Sequence, residues 1–340
     1  MIVCMLIITE ISFERDFESQ VQKYYIEIWK CLPKELREHL KKNRIFAVKK
    51  KSNDNMEELK KCIATTVKSQ SHWGENVPIS WTKLESVFIK IKKDNKIFNF
   101  SDLLRLVQST KELSIENEED LKTALTFFHE TGVILFRSET EKIILDVQWF
   151  VDAFKCIILD EIHCDTIDEN NCDLFEQLTK HGLLSSELLD ELWKKHNIYE
   201  HKDSLIYHMK QLDMLAELSE VKWYVPCMNK QKYDEKYLDN CNVSSRLCFL
   251  FEYLPFFVYH RLIAACINTL KMQPWETAGK KHIFHTVTIL RCKDLSHRIL
   301  IGICDNKGRI DTDYPYSIEI QANVTKPNEI DTKLTSDFCG

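Results

Sequence analysis

Histidine and cysteine are the residues of this chain best suited to chemistry, 12 and 13 of them among 340 residues. A zinc centre needs ligand pairs a few residues apart. His282 and His285 are three apart, but on a strand that spacing puts them on opposite faces. His196 and His201 flank a helix boundary with no cysteine nearby. Cys156, Cys164 and Cys172 recur every eight residues, which is not a zinc spacing, and no C-x-x-C pair occurs. A nucleophilic triad could be assembled only by free choice among these side chains. The residue types therefore assign no catalytic residue, no metal and no cofactor.

Phosphate chemistry fares no better. A Walker A loop wraps phosphates with glycine amides in the pattern G-x-x-x-x-G-K-[ST]. The seven glycines stand at 74, 132, 182, 279, 302, 308 and 340, about 2% of the chain against a usual ~7%. Gly302 and Gly308 are six apart and no Lys-Ser follows. Asn306-Lys307-Gly308-Arg309 fails the guanine-reading N-K-x-D pattern and reads as a hairpin turn.

The elements around these residues are more telling. Leu125, Phe127 and Phe128 close a helix at Thr131-Gly132. Two β-rich runs follow, Val133–Phe136 and Ile143–Val147, and then Gln148-Trp149-Phe150. The pattern returns: Ile206, Met209 and Leu212 close a helix, Leu215–Leu218 and Trp223–Val225 form the runs, and Pro226 ends them. A helix followed by a hairpin is the back half of a winged helix-turn-helix. The first module is completed by helices carrying Leu84, Val87, Phe88 and Ile91, then Leu103, Leu104 and Val107. A connecting helix over Trp149–Ile158 and helices near Asp173–Lys180, Ser185–Lys195 and Lys202–Leu212 complete the second.

Winged helices raise nucleic-acid binding, but a recognition helix must bring cations to a polyanion. The helix from Glu118 to Glu130 carries a net −3. Its counterpart, His201 to Asp213, sets Lys202 and Lys210 against Asp203 and Asp213. The net charge of −6 gives no global attraction to nucleic acid or anionic membrane. The basic cluster Lys41–Lys51 brackets an Arg44–Val48 strand and reads as a solvated strand end, with a phosphate or acidic-partner contact as the alternative.

Residues 1–71 read β-α-β-α, the last part of an α/β sheet. Met1–Thr9 is too short to span a bilayer and reads as a buried parallel strand, whose sheet partners are expected upstream. Residues 72–80 form a linker. After 240, Arg246–Tyr253, Ile283–Arg291, Arg298–Cys304 and Tyr316–Ala322 are strand candidates around a Phe256–Leu270 helix. Residues 323–340 read as a tail. The cysteines, set mostly beside aliphatics, read as reduced thiols of a cytoplasmic protein.

Several segments resemble the COR (C-terminal of Roc) domain of the Roco proteins. They are Trp73-Gly74-Glu75-x-x-Pro78-x-x-Trp81, Leu125–Phe136 (LTFFHETGVILF), Ile144–Phe150 (ILDVQWF), Gly182-Leu183-Leu184 leading to Leu192-Trp193, Trp223–Pro226, and Phe249–Pro255 (FLFEYLP). They run in family order over about 72–320. The resemblance implies an α+β fold: tandem winged-helix-like modules (COR-A, 81–235), then an α+β COR-B unit (240–322). It also makes 1–71 similar to the C-terminal remnant of a Ras-like Roc GTPase domain. There Thr9-Glu10-Ile11-Ser12 stands where the base-reading motif would, without its aspartate, and the P-loop would precede Met1. No nucleotide-binding residue is carried over, and this chain is not expected to be an enzyme.

The function implied is a scaffold and dimerisation module that couples a Roc-type GTPase domain to neighbouring signalling domains, with no cofactor, nucleic acid or membrane span. The interaction candidates are Trp73, Pro78 and Trp81 at the junction, and Phe249, Phe251, Phe256 and Phe257 for a homodimer through 240–322. Alternation over Arg246–Tyr253 makes both faces of that strand largely apolar. Two alternatives stay open: a fragment of an active Roco GTPase whose P-loop half is missing, and a winged-helix nucleic-acid-binding protein.

Overall fold

The computed structural model describes residues 76–158 and 167–325, except 239, 253, 278, 292–296 and 306–313, together with 6–8, 45–47, 56–69 and a few isolated positions. The chain divides into two units, 1–76 with 250–254 and 306–316, and the remainder. In the first, β1 (Leu6–Ile8) pairs in parallel with β2 (Ile45–Ala47), as the apolar run at the N-terminus predicts. Helix α1 (Met56–Lys68) follows. Trp73, Glu10–Ser12, Cys164, the 306–308 turn and most of the Lys41–Lys51 cluster lie outside the described residues.

The second unit opens with α2 (Ile79–Ile91), which begins inside the expected 72–80 linker. Pro78 precedes its first residue, with φ fixed at −54°. Proline suits that position because the start of a helix has no use for its missing N–H. Then come β3 (Ile97–Asn99), α3 (Phe100–Ser109) and α4 (Glu118–Glu130). The Asn117 side chain caps α4 by accepting the Asp120 N–H at 2.8 Å. β4 (Lys142–Ile144) pairs antiparallel with β3, and the Val133–Phe136 run meets β4 only at a bridge from Leu135 to Ile144.

The expected strand Ile143–Val147 stops early because Asp146 starts the next helix, α5 (Val147–Lys155), by accepting the Trp149 N–H. Lys92 and Lys96 also reach the Asp146 carboxylate, at 3.2 and 2.8 Å. Burial alone would raise its pKa. The hydrogen bonds from Lys96, the Trp149 N–H and Lys92 outweigh burial and hold it below the ordinary 3.8.

The pattern then repeats, as its sequence echo predicts. It comprises α6 (Cys172–His181), β5 (Leu183–Ser185), α7 (Ser186–Lys195), α8 (Lys202–Gln211), β6 (Ala216–Ser219) and β7 (Lys222–Tyr224). The three strands are antiparallel in the order β5-β7-β6. Gly182 joins α6 to β5 at φ +67°, where an added Cβ would lie 2.6 Å from the Val225 carbonyl oxygen. Only glycine fits there.

Two apolar cores result. Leu84, Phe88, Leu103, Val107, Leu121, Leu125 and Phe128 fill the first. Phe150, Leu178, Leu188, Leu192, Trp193, Leu205, Met209 and Trp223 fill the second. The segment between them alternates with period two. Ile134, Phe136, Ile143 and Leu145 enter the first core, while Leu135 and Ile144 enter the second. One pair of extended runs is thus the wall shared by both.

The C-terminal part holds β8 (Cys241–Val243), β9 (Leu247–Phe251), α9 (Phe256–Asn268), β10 (Gln273–Pro274), β11 (Glu276–Thr277), β12 (Lys280–Lys281), β13 (Val287–Arg291), β14 (His297–Asp305) and β15 (Tyr316–Thr325). Its main sheet runs β10-β13-β14-β15-β8, with β9 also on β15, and β11 and β12 form a separate small hairpin. Two expectations need correction. The tail does not start at 323, because β15 continues to Thr325 and pairs with β8, Asn323 opposite Val243. The strand expected over Ile283–Arg291 starts only at Val287, because the Phe284 N–H bonds back to the Val287 carbonyl in a turn.

Candidate interaction surface

The side chains that could do chemistry are absorbed by structure. His282 is buried, stacked 4.1 Å from Trp275, and bonded to Thr277. His285 Nδ1 meets the Asn229 carbonyl at 2.8 Å. His201 lies edge-on to Trp149. Cys156 and Cys172 each donate to a carbonyl four residues back, Asp152 and Asp168. Among the described residues no group of three or more His, Cys, Asp or Glu could hold a metal ion. Within the same residues, no helix is long and apolar enough to cross a membrane.

The two helices expected from sequence to be recognition helices differ. The outward residues of α4 are Glu118, Glu119, Asp120, Thr123, Thr126 and Glu130, and its Lys122 is tied to Glu118. Helix α8 is more enclosed, since only Asp203 and Gln211 of its residues are exposed. Its two lysines pair with carboxylates, Lys202 with Asp190 and Lys210 with Glu217.

His208 marks the contact between modules, its Nε2 3.3 Å from the Lys142 carbonyl of β4. Burial holds the imidazole at a pKa of about 4, helped by the charges of His129 and Arg137 and opposed by the Lys142 carbonyl. The folded pKa lies below the unfolded value, so the unfolded chain takes up the proton first. Stability is therefore complete above about pH 6.5 and declines as pH falls toward 4, by on the order of 3 kcal/mol for this group. His208→Gln is expected to flatten that decline in urea titrations at stepped pH. An unchanged slope would assign the loss to other groups.

The second module is joined to the C-terminal part by two asparagines that no periodicity announces. Asn268, the last residue of α9, donates to the Lys210 and Leu215 carbonyls and accepts the Glu217 N–H. Asn229, fully buried, donates to the Tyr224 hydroxyl and the Ile283 carbonyl.

The interaction candidates separate into groups. Pro78 is exposed, between exposed Val77 and Ile79. Trp81 is half-buried against Phe127, ring centres 5.1 Å apart, and belongs to the packing of the first core. Trp149 is half-buried against the second core, while Trp193 and Trp223 lie within it. Phe249, Phe256 and Phe257 are exposed at 48%, 46% and 58%, whereas Phe251 is half-buried. Ile79 and Ile89, 74% and 61% exposed, were not singled out by sequence: Ile79 fell in the expected 72–80 linker, and Ile89 lies off the apolar face of Leu84, Val87, Phe88 and Ile91.

Residues 78–237 match the family described as C-terminal of Roc, COR-A domain. This stretch is a COR-A domain. Among solved structures, RocCORdC of Methanosarcina barkeri Roco2 bound to GDP is similar at 15% identity and a TM-score of 0.40. The match covers 66% of this chain and 63% of that one. A comparison with curated proteins finds no match.

Proposed function

We propose that this chain is a non-catalytic scaffold of a Roco-type signalling protein, working in the cytoplasm. It pairs with a second copy through its COR-B part and couples a Roc-type GTPase domain to its neighbours. The observation that carries the reading is the exposure of Phe249, Phe256 and Phe257. Three exposed phenylalanines in one small α+β unit mark an interface, since aromatic side chains dominate interface cores.

Further support comes from element order. Helix, strand and two helices occur twice, followed in the second copy by the β6–β7 hairpin and in the first by β4 with the Leu135–Ile144 bridge, which favours two winged-helix-like modules. The acidic outer face of α4 and the enclosure of α8 favour protein partners over duplex DNA. Exposed Val77, Pro78 and Ile79 at the start of α2 offer an apolar contact for a GTPase domain. The parallel β1–β2 pair followed by α1 fits the final part of a Ras-like sheet.

The test is analytical ultracentrifugation of the whole chain over a concentration series, alongside a Phe256→Glu, Phe257→Glu variant. The wild type is expected to dimerise by tens of micromolar. The variant should weaken association roughly 30-fold or more, the loss typical of a buried aromatic anchor. A wild-type monomer throughout, or a variant that associates equally well, would remove the dimerisation role.

A further inference from the structure

One face of the C-terminal sheet buries a positive charge without a negative one. Arg298, on β14, is only 4% exposed. A buried charge is costly unless a counter-charge comes with it. The guanidinium lies over the Trp275 ring, 4.3 Å from its centre. Its Nη2 donates to the Thr325 hydroxyl at 2.9 Å and to the Cys241 sulfur at 3.1 Å. Its Nε, also buried, has no partner. Among the described residues, then, no carboxylate meets Arg298. Glu276, next to Trp275 in the chain, is paired with Lys281 at 2.7 Å. In the β13–β14 register Arg291 stands directly opposite Arg298. Like charges placed so are destabilising, and an anion beside them would relieve it.

A second, independent orphan lies on the same face. Asn323, on β15, is 1% exposed, and neither its Oδ1 nor its Nδ2 has a hydrogen-bond partner. Native proteins satisfy nearly all such groups, so a buried amide left bare points to a missing partner. Asn323 and Thr325 are two residues apart on one strand, so their side chains leave the same face, about 7 Å apart. Thr325 is opposite Cys241 and Asn323 opposite Val243. Arg298, Cys241, Thr325 and Asn323 therefore gather at one place near the β8 edge of the sheet. Thr325 and Val243 are exposed there, which sets that place beside solvent.

We propose that Arg298 and Asn323 form a binding site for inorganic phosphate, with Thr325 and Cys241 at its margin. The bare groups select the ligand. The Arg298 Nε–H and the Asn323 amide N–H need acceptors, while Asn323 Oδ1 needs a donor. An ionised carboxylate only accepts and would leave Oδ1 bare. A water molecule can serve the amide but brings no charge to the guanidinium. Inorganic phosphate at neutral pH carries negative charge and keeps a proton on at least one oxygen, so it answers all three. A phosphate monoester, whose second pKa is about 6, has mostly lost that proton. Hydrogen bonds between guanidinium and phosphate are among the strong, charge-assisted kind. The site is separate from the exposed phenylalanines of the proposed dimer, so either can fail alone.

The test is isothermal calorimetry of the full chain with sodium phosphate at pH 7 and constant ionic strength, beside acetate and methyl phosphate. Phosphate is expected to give one saturable site in the millimolar range or tighter, with both other anions weaker. Asn323→Asp places a carboxylate where the phosphate would sit. It should weaken phosphate binding about tenfold or more, while the melting temperature in chloride holds or rises because Arg298 gains a counter-charge. No saturable heat with phosphate would overturn the proposal and leave a buried water as the partner of Asn323. So would acetate or methyl phosphate binding as tightly as phosphate, or an Asn323→Asp chain that binds phosphate undiminished. The wild-type titrations decide the matter even if the variant fails to fold.

Discussion

Truncating Trp193 to alanine is expected to cost about 3–5 kcal/mol, the usual range for deleting a large aromatic from a packed core. Trp193 is fully buried and is among the largest enclosed side chains of the protein. Its indole N–H also donates to the Ala153 carbonyl at 3.0 Å, which ties α7 to α5. Truncation therefore opens a cavity and orphans a buried acceptor together. Trp193→Phe separates the two effects: it retains most of the volume, loses the hydrogen bond, and should cost clearly less. Guanidinium unfolding of the whole chain measures both. Equal losses for the two variants would mean that the hydrogen bond, not the filled volume, dominates.

Replacing Asn268 by leucine is the second large effect, about 2–4 kcal/mol. The change removes three hydrogen bonds and leaves the Glu217 N–H and the Lys210 and Leu215 carbonyls without that partner. Its consequence reaches beyond stability. These bonds are part of what fastens the end of α9 to the second module, so their loss should let the C-terminal part unfold ahead of it. Tryptophan fluorescence and far-ultraviolet dichroism, coincident in the wild type, should then report different midpoints. Coincident midpoints in the variant would show that packing alone keeps the two parts together.

Much of this fold was legible because amphipathic periodicity is written directly in sequence. Leu84 and Phe88, or Leu188, Leu192 and Trp193, name their helices without help. The acidic face of α4 was equally readable, since a solvated helix face is decided by composition. The missed features depend on partners distant in sequence. β8 is three residues, Cys241-Asn242-Val243, with no alternation to betray it, and it exists because the end of β15 lies beside it. For the same reason residues 323–325 looked like a tail.

At the candidate surface, sequence showed an excess of aromatics between Phe249 and Tyr259 but could not divide them. Tyr259 proves buried, its hydroxyl bonded to Thr288, while Phe256 and Phe257, on the preceding turn of the same helix, are exposed. The asparagines at 229 and 268 gave no local signal, because their meaning lies in what faces them across the fold.

The wall that lends Ile134, Phe136, Ile143 and Leu145 to one core and Leu135 and Ile144 to the other bears on where this gene can be cut. A fragment ending near Asp146 would present Leu135 and Ile144 to water. A fragment starting there would lack the side chains that close its own interior. The repeat visible in the sequence suggests two interchangeable cassettes, yet neither is self-sufficient. Recombination or truncation at that apparent joint would yield two sticky halves, and the smallest portable piece contains both.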